Sequence, residues 1–377
     1  MRFLHTSDWQ LGMTRHFLAG EAQARFSEAR LDAIGTLAQL ASERDCAFVV
    51  VAGDVFETNQ PDARTVTRAL ERLGRFTVPV YLLPGNHDPY DPSSIYRNPS
   101  FVDRCPPHVE VLSDTAPRSP VPGVEVIGAP WPNKEPLRDL VADACDAADG
   151  EGTLRVVVGH GGIAEVSGSF DAAGTVELSR VEAALERGCL SYVALGDRHS
   201  CTPVGTSGRV WFSGAPEPTS YVEEDAGTAL VVDLGSDPPT VERCEVGTWT
   251  FHELVQPVDS AQDLDTLEAR LDAIPDPARA IVKLKLEGTL DLRQVARLDG
   301  LLEDRALRFG ALEHPARHRD VAVRASDDDL AELPLNGYAA DARDALQARA
   351  AGTDPDAEVA TDALGLLLRL VGERSGR

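Results

Sequence analysis

Eight residues of this 377-residue chain have types and spacing that could do chemistry: Asp8, Gln10, Asp54, Asn86, His87, His160, Asp197 and His199. Each lies just past an apolar, strand-like run. Met1 to Thr6 leads into Ser7-Asp8-Trp9-Gln10, and Ala47 to Val51 into Ala52-Gly53-Asp54. Val78 to Leu83 stops in Pro84-Gly85-Asn86-His87-Asp88, where Gly85 lets the backbone turn without a clashing Cβ. Leu154 to Val158 precedes Gly159-His160-Gly161-Gly162, and Tyr192 to Leu195 precedes Gly196-Asp197-Arg198-His199. In α/β sheets, ligands collect outside the carboxyl ends of the strands, so five such loops would deliver all eight side chains to one place. Oxygen and imidazole donors without thiolates suit Mn²⁺, Mg²⁺ or Fe²⁺ more than a closed structural zinc site. Two divalent ions about 3.5–4 Å apart need a bridging carboxylate with terminal ligands on each side, and the set is long enough for that.

Asp8-Trp9-Gln10, Gly53-Asp54, Gly85-Asn86-His87-Asp88, Gly159-His160-Gly161-Gly162 and Gly196-Asp197-Arg198-His199 resemble, in order and spacing, the five motifs of the calcineurin-like metallophosphoesterases. The early Asp-Trp-x-Leu-Gly, the Gly-Asp-Val-Phe-Glu and Ser213-Gly214-Ala215-Pro216 are similar to the SbcD branch, the nuclease subunit of the SbcC/SbcD DNA repair complex. The resemblance covers roughly residues 1–245 strongly and the rest in layout. It implies an α/β fold: a four-layer α/β/β/α sandwich, a small α+β cap domain and a helical C-terminal tail. It further implies two divalent ions, Mn²⁺ foremost, with Mg²⁺ or Fe²⁺ as alternatives. Asp54 would bridge them; Asp8, Gln10 and His199 would complete one, and Asn86, His160 and Asp197 the other. By the same resemblance His87 binds no metal and protonates or stabilises the leaving oxygen, with Asp88 orienting its ring. The implied partners are DNA and an SbcC-like coiled-coil ATPase, in a heterotetramer built on a homodimer that the early helical region could join.

Two positions depart from the family pattern. Its first motif usually ends in His where this chain has Gln10, and its last is usually Gly-His-x-His where this chain has Gly196-Asp197-Arg198-His199. Both fall on expected metal ligands. Three readings follow: a metal-dependent DNA nuclease, a catalytically weak or inactive scaffold, and a phosphoesterase for small substrates. The departures at Gln10 and Asp197 favour the second somewhat, retention of His87, Asp54, Asn86, His160 and His199 favours the first, and the cap and tail count against the third.

Composition narrows the partners. With 61 acidic against 36 basic residues the net charge is -25, which argues against a nucleic-acid coat held by a basic surface. Any DNA contact must be local, metal-assisted or shared. Six cysteines show no Cys-x-x-Cys spacing and are too sparse for a disulfide scaffold, which fits a reducing cytosol. No run of about 18 apolar residues occurs, and Asp8 sits where a signal peptide would need its apolar core, so a soluble, cytoplasmic protein is expected, with no membrane partner. No Gly-x-x-x-x-Gly-Lys is present, so ATPase activity would have to come from a partner.

The positioning elements follow from periodicity. Phe26, Ala29, Ala33, Leu37 and Leu40 predict a helix over Glu21 to Arg44. A second helix is predicted to start at Pro61 and bury Val66, Ala69, Leu70 and Leu73. Val124 to Gly128 reads as a strand, and Ala229 to Leu234 with Val241 to Val246 as a hairpin that closes a metallophosphoesterase domain over 1–247. Residues 248–326 read as an α/β cap: a strand at Phe251 to Val255, a helix over Ala261 to Ile274, a strand at Ala280 to Leu286 and a helix over Leu292 to Leu307. Seven arginines against five acids lie within 293–324, either a DNA-facing cap or a solvated helix face. The candidate DNA contacts are Arg198 and Trp131 near the metal motifs and Arg293 and Arg297 in the cap; Trp131 could stack on a base or serve the core. Residues 327–377 open with Asp327-Asp328-Asp329. They end in a helix apolar on more than one face (Val359, Ala363, Leu364, Leu366, Leu367, Leu368, Leu370, Val371), suited to holding an ATPase partner or to self-packing.

Overall fold

Alternation along the strands builds two sheets that face each other. A computed structural model describes residues 1–377 except 19, 151, 168–173, 314–318, 325–336, 351, 353–356, 358, 361–362, 365–366 and 368–377. The chain divides into two units, Met1–Trp249 and Thr250–Arg377.

In the first unit the elements are β1 (Arg2–Thr6), α1 (Glu21–Glu43), β2 (Cys46–Val51), α2 (Ala63–Leu73), β3 (Val80–Leu82), α3 (Pro99–Val102), β4 (Val109–Val111) and β5 (Val124–Gly128). They continue with α4 (Leu140–Ala147), β6 (Leu154–His160), α5 (Ala164–Ser167), α6 (Leu178–Glu186), β7 (Tyr192–Gly196), β8 (Thr202–Val204), β9 (Val210–Phe212), β10 (Thr228–Asp233) and β11 (Thr240–Glu245). One sheet has the order β11-β10-β1-β2-β3-β4, the other β5-β6-β7-β9-β8. β1 to β4 run parallel, as do β5, β6, β7 and β9. β10 and β11 form the expected antiparallel hairpin.

Period-two patterning assigns each side chain to a layer. Phe3, Phe48, Val50, Val156, Val158, Ala194, Leu230 and Val232 pack between the sheets, with the rings of Phe3 and Phe48 stacked at 4.8 Å. Leu4, Val49 and Val51 face the other way, onto Leu31, Ile34 and Leu37 of α1 and Val66, Ala69 and Leu70 of α2. Val157, Val193 and Leu195 meet Val141 and Ala144 of α4 and Val181 and Ala184 of α6. The result is the α/β/β/α sandwich. Pro61 does not open the second helix: the Asp62 carboxylate caps it, accepting from Arg64 N and Thr65 N at 3.0 Å each, so the first helical residue is Ala63.

The second unit is built around one long strand. β12 (Thr250–Pro257), α7 (Ala261–Asp272), β13 (Ala280–Asp291), α8 (Leu292–Ala306), β14 (Ala311–Glu313), β15 (Arg319–Arg324) and α9 (Tyr338–Ala350) follow in order. β13 pairs in parallel with β12 on one side and with β14 and then β15 on the other. Leu264, Leu267 and Leu271 of α7 and Val295, Leu298 and Leu302 of α8 cover Val282, Leu284 and Leu286 of the sheet. This is the predicted β-α-β-α succession. Of the expected final apolar helix, Leu364 is buried and Val359 exposed, whereas Leu366, Leu368, Leu370 and Val371, like Asp327-Asp328-Asp329, lie outside the described residues. Among the described residues no helix is long and apolar enough to cross a membrane.

Candidate metal centre

The five polar loops leave the same ends of β1, β2, β3, β6 and β7, and backbone hydrogen bonds lace the first two together. Asp8 N donates to Gly53 O at 3.0 Å and Gln10 N to Asp54 O at 2.9 Å. Asp8, Gln10, Asp54 and Asp197 all hold left-handed backbone, with φ of 54°, 44°, 54° and 95°. For non-glycine residues such conformations cost roughly 1–3 kcal/mol each and persist only where the surroundings impose them. Gly85 is required for the approach of the third loop: a Cβ there would sit 2.2 Å from Asp54 Oδ1.

The side chains converge with their lone pairs inward. His160 Nδ1 lies 2.8 Å from Ala52 O and can only donate to it, so Nε2 of the neutral ring carries the lone pair. That atom is 2.8 Å from Asn86 Oδ1, 3.5 Å from Asp54 Oδ1 and 3.7 Å from Asp197 Oδ1. With the ring neutral, four acceptors would face one another, a repulsion that a proton on Nε2, a turned Asn86 amide or a cation between them relieves. Left alone, the Asn86 amide would turn its NH₂ inward, within 3.2 and 3.1 Å of the Asp54 oxygens and 2.8 Å of His160 Nε2. Across the centre, Ser7 Oγ donates to Asp8 Oδ2 at 2.6 Å, and Asp197 N donates to the same carboxylate at 3.1 and 3.2 Å. His199 Nε2 is 3.9 Å from Asp8 Oδ1 and 3.1 Å from Gln10 Nε2. One ligand atom each from Asp8, Asp54 and His160 falls within 4.8 Å of the others, close enough to share an ion. The donor chemistry fits a hard divalent cation.

The family model for calcineurin-like phosphoesterases matches residues 1–201. The chain belongs to this family. As a member, this phosphoesterase is a metal-dependent hydrolase. It is similar to "DNA double-strand break repair protein Mre11" of Archaeoglobus fulgidus, 35% identical over 91 residues, which are 23% of this chain and 19% of that one. It is 32% identical over 148 residues to the SbcD component of the SbcCD nuclease of Bacillus subtilis, 38% of this chain and 31% of that protein. The SbcD component of the Rhodobacter capsulatus nuclease is 27% identical over 378 residues, 87% of this chain and 91% of the relative. The first two alignments thus span a fifth to a third of the relatives they match.

Electrostatics in this phosphoesterase site reflect an excess of buried negative charge. Burial raises Asp54 from 3.8 to about 7, with Asp88 and Asp8 adding to the rise against His160. Burial by itself would lower His160, but Asp54, Asp8 and Asp197 overcome it and lift the ring to about 9. Burial likewise raises Asp197. Protons held on this cluster are what a divalent ion would displace.

The Asp88 expectation is corrected, and the surroundings of Trp131 and of the basic stretch are defined. Asp88 does not orient His87. Its buried carboxylate accepts from Gly85 N at 2.8 Å, Phe56 N at 2.9 Å and Tyr96 Oη at 2.5 Å, fixing the loop, while His87 Nδ1 meets Glu57 O at 3.0 Å. Trp131 is no open stacking platform: it is 3% exposed, and its Nε1 donates to His160 O at 2.8 Å. The basic stretch of the second unit is answered from α7. Arg297 pairs with Asp265 at 2.6 Å, Arg305 with Glu268 and Asp272 at 3.0 Å each, and Arg308 with Asp272 at 3.1 Å. Arg293 is exposed on α8, and Arg198 stands half-buried, its Nε donating to Thr202 Oγ1 at 2.9 Å. His87 itself is at the rim, its side chain 37% exposed and its Nε2 4.0 Å from Asp54 Oδ2. The sequence reading missed Thr219 and Glu223, which hold His199 Nδ1 at 2.7 and 3.1 Å. Nothing in their types sets them apart from ordinary loop residues.

Proposed function

We propose that this chain is the nuclease subunit of an SbcD-type complex, hydrolysing DNA phosphodiesters in double-strand-break repair together with an SbcC-like coiled-coil ATPase. The observation that carries the reading is the convergence of the Asp54, Asn86, His160 and Asp197 side chains, with Asp8 and His199 on the far side. The names of the relatives support DNA repair and a nuclease of more than one subunit; the ATPase partner rests on the motif resemblance.

In this reading Asp8, Gln10, Asp54 and His199 would hold one ion and Asp54, Asn86, His160 and Asp197 a second, with Mn²⁺ the preferred metal. When bound, the ions neutralise the phosphoryl oxygens and acidify the attacking water. His87 does the remaining proton work. With Nδ1–H held by the Glu57 carbonyl, the proton of the imidazolium free to move is on Nε2, and it goes to the oxygen that leaves as the phosphorus–oxygen bond breaks. Asp54 Oδ1 accepts from His87 N at 3.0 Å, so the acid and the carboxylate are fixed to each other through the backbone. Arg198 is the DNA contact beside the centre. Residues 248–326 act as a cap and 327–377 as the segment that meets the ATPase.

The test is purified protein with Mn²⁺ offered linear, hairpin and single-stranded DNA beside a small chromogenic diester. DNA cleaved in preference to the small diester, and lost on metal removal, is expected. Turnover of the small diester alone would make this a small-substrate phosphoesterase.

A further inference from the structure

Arginines of this acidic chain are widely engaged by its own carboxylates. Arg72, Arg180 and Arg305 each meet at least two, at 2.6 to 3.2 Å. Arg97 is different. It is exposed, among the described residues no carboxylate pairs with it, and its guanidinium lies over the ring of Tyr90, 4.3 Å from the centroid. The stack takes up one face of the guanidinium and leaves the N–H donors, which lie in its plane, directed along the free edge. A planar fork with its edge free is the arrangement that grips two oxygens of one phosphate at once. A short, braced loop ties this pair to the metal centre. Tyr90 N donates to Trp131 O at 2.8 Å. Asn59 bridges the two limbs of the loop, donating from Nδ2 to Pro89 O at 2.9 Å and accepting from Ile95 N at 3.0 Å. Tyr96, next to Arg97, donates to Asp88 Oδ2 at 2.5 Å, and Asp88 Oδ1 accepts from Gly85 N at 2.8 Å. Both members of the stack are thus placed before any substrate arrives, and little order has to be imposed on binding.

We propose that Arg97, laid on Tyr90, binds a backbone phosphate of the DNA strand on the side that departs with the leaving oxygen. His87 serves that oxygen in the function proposed above, on which this inference rests, and a strand continuing past His87 meets the Tyr90–Arg97 stack. Tyr90 is three residues beyond His87, so their Cα atoms are at most about 11 Å apart, which at roughly 3.4 Å of rise per phosphate puts the contact within about three phosphates of the cleaved bond. Arg97 is then a binding residue that reads charge and not sequence. Tyr90 is a positioning residue that acts through it.

The test is kcat/KM of the full chain with Mn²⁺ on single-stranded oligonucleotides of increasing length and on a small chromogenic diester. It is run on wild type, Arg97→Ala, Tyr90→Ala, Tyr90→Phe, the Arg97→Ala/Tyr90→Ala double variant and Arg180→Ala, the last a loss of charge outside the site. Wild type should gain kcat/KM as phosphates are added. Arg97→Ala should lose about tenfold on the longer oligonucleotides, chiefly through KM, the scale of one charge-assisted hydrogen bond. Its slope of log kcat/KM against log salt should be shallower by about 0.7, the share of one phosphate on a single strand. Tyr90→Ala should show the same two changes, with nothing added in the double variant. Tyr90→Phe, which keeps the ring, and Arg180→Ala should show neither. An equal loss on the small diester, a salt slope unmoved by Arg97→Ala, or a loss matched by Arg180→Ala would each overturn the contact while leaving the nuclease standing. Mn²⁺-dependent turnover that gains nothing from added phosphates, or no turnover at all, would bring down the nuclease reading itself, and this contact with it.

Discussion

At the scale of single residues, the centre is stable without metal only while it holds protons. Asp54, raised to about 7 from 3.8 by burial, binds a proton in the folded state that the unfolded chain has released, so its contribution worsens as pH rises from about 4 to 7. His160, raised to about 9 by Asp54, Asp8 and Asp197 against its burial, stabilises fully below 6.5 and loses that contribution as pH rises through 9. Both slopes have the same sign. The metal-free protein should lose stability from about pH 4 to pH 9, and an ion that replaces the protons should restore it. Thermal unfolding with chelator and with Mn²⁺ should therefore show a larger metal-induced rise in Tm at pH 9 than at pH 6; an equal rise at both would contradict the assignment. His87 is expected to behave differently, since its ring is hydrogen-bonded to the Glu57 carbonyl at the rim, 4.0 Å from the nearest donor, Asp54. His87→Ala should cost roughly 10²–10⁴ in rate, the worth of a general acid, with metal content unchanged by elemental analysis.

Elements place these residues, and they were legible in unequal measure. Strand-to-loop transitions could be read because a run such as Ala47 to Val51 ending in Gly53-Asp54 has one sensible register. The layer each side chain faces follows from parity alone. Partners remote in sequence left no such mark. The acids that answer Arg297 and Arg305 sit about 30 residues earlier on α7, so the stretch 293–324 looked more basic than its surface is. Asp88, one residue from His87, points at Tyr96 and two backbone amides, a choice that only the turn geometry fixes. Trp131 stands after a strand, where a tryptophan can turn inward or outward; here it closes over the last residue of β6, edge-on to His160 at 5.9 Å. Trp131→Ala should therefore destabilise the fold by about 3–5 kcal/mol in denaturant titrations, the usual cost of removing a buried Trp side chain. Loss of single-stranded DNA binding with stability intact would return the ring to the substrate surface.

For the molecule as a whole, charge sets the terms of any encounter with DNA. A net charge of -25 repels a phosphate backbone, and the arginines of α8 that could offset it locally are largely engaged with α7. The isolated chain should bind DNA weakly, with a shallow dependence of affinity on salt that reflects few phosphate contacts, and bind better with an ATPase partner. Tight binding that ignores salt would refute this. Beneath the partner question stands the claim that five loops have been folded around a cation, and the most direct measurement is anomalous diffraction at the manganese edge from crystals grown with Mn²⁺. A peak bounded by His160 Nε2, Asn86 Oδ1, Asp54 and Asp197 is the expected result. An empty position at saturating Mn²⁺, with the Asn86 NH₂ turned inward to donate to His160 Nε2, would contradict it.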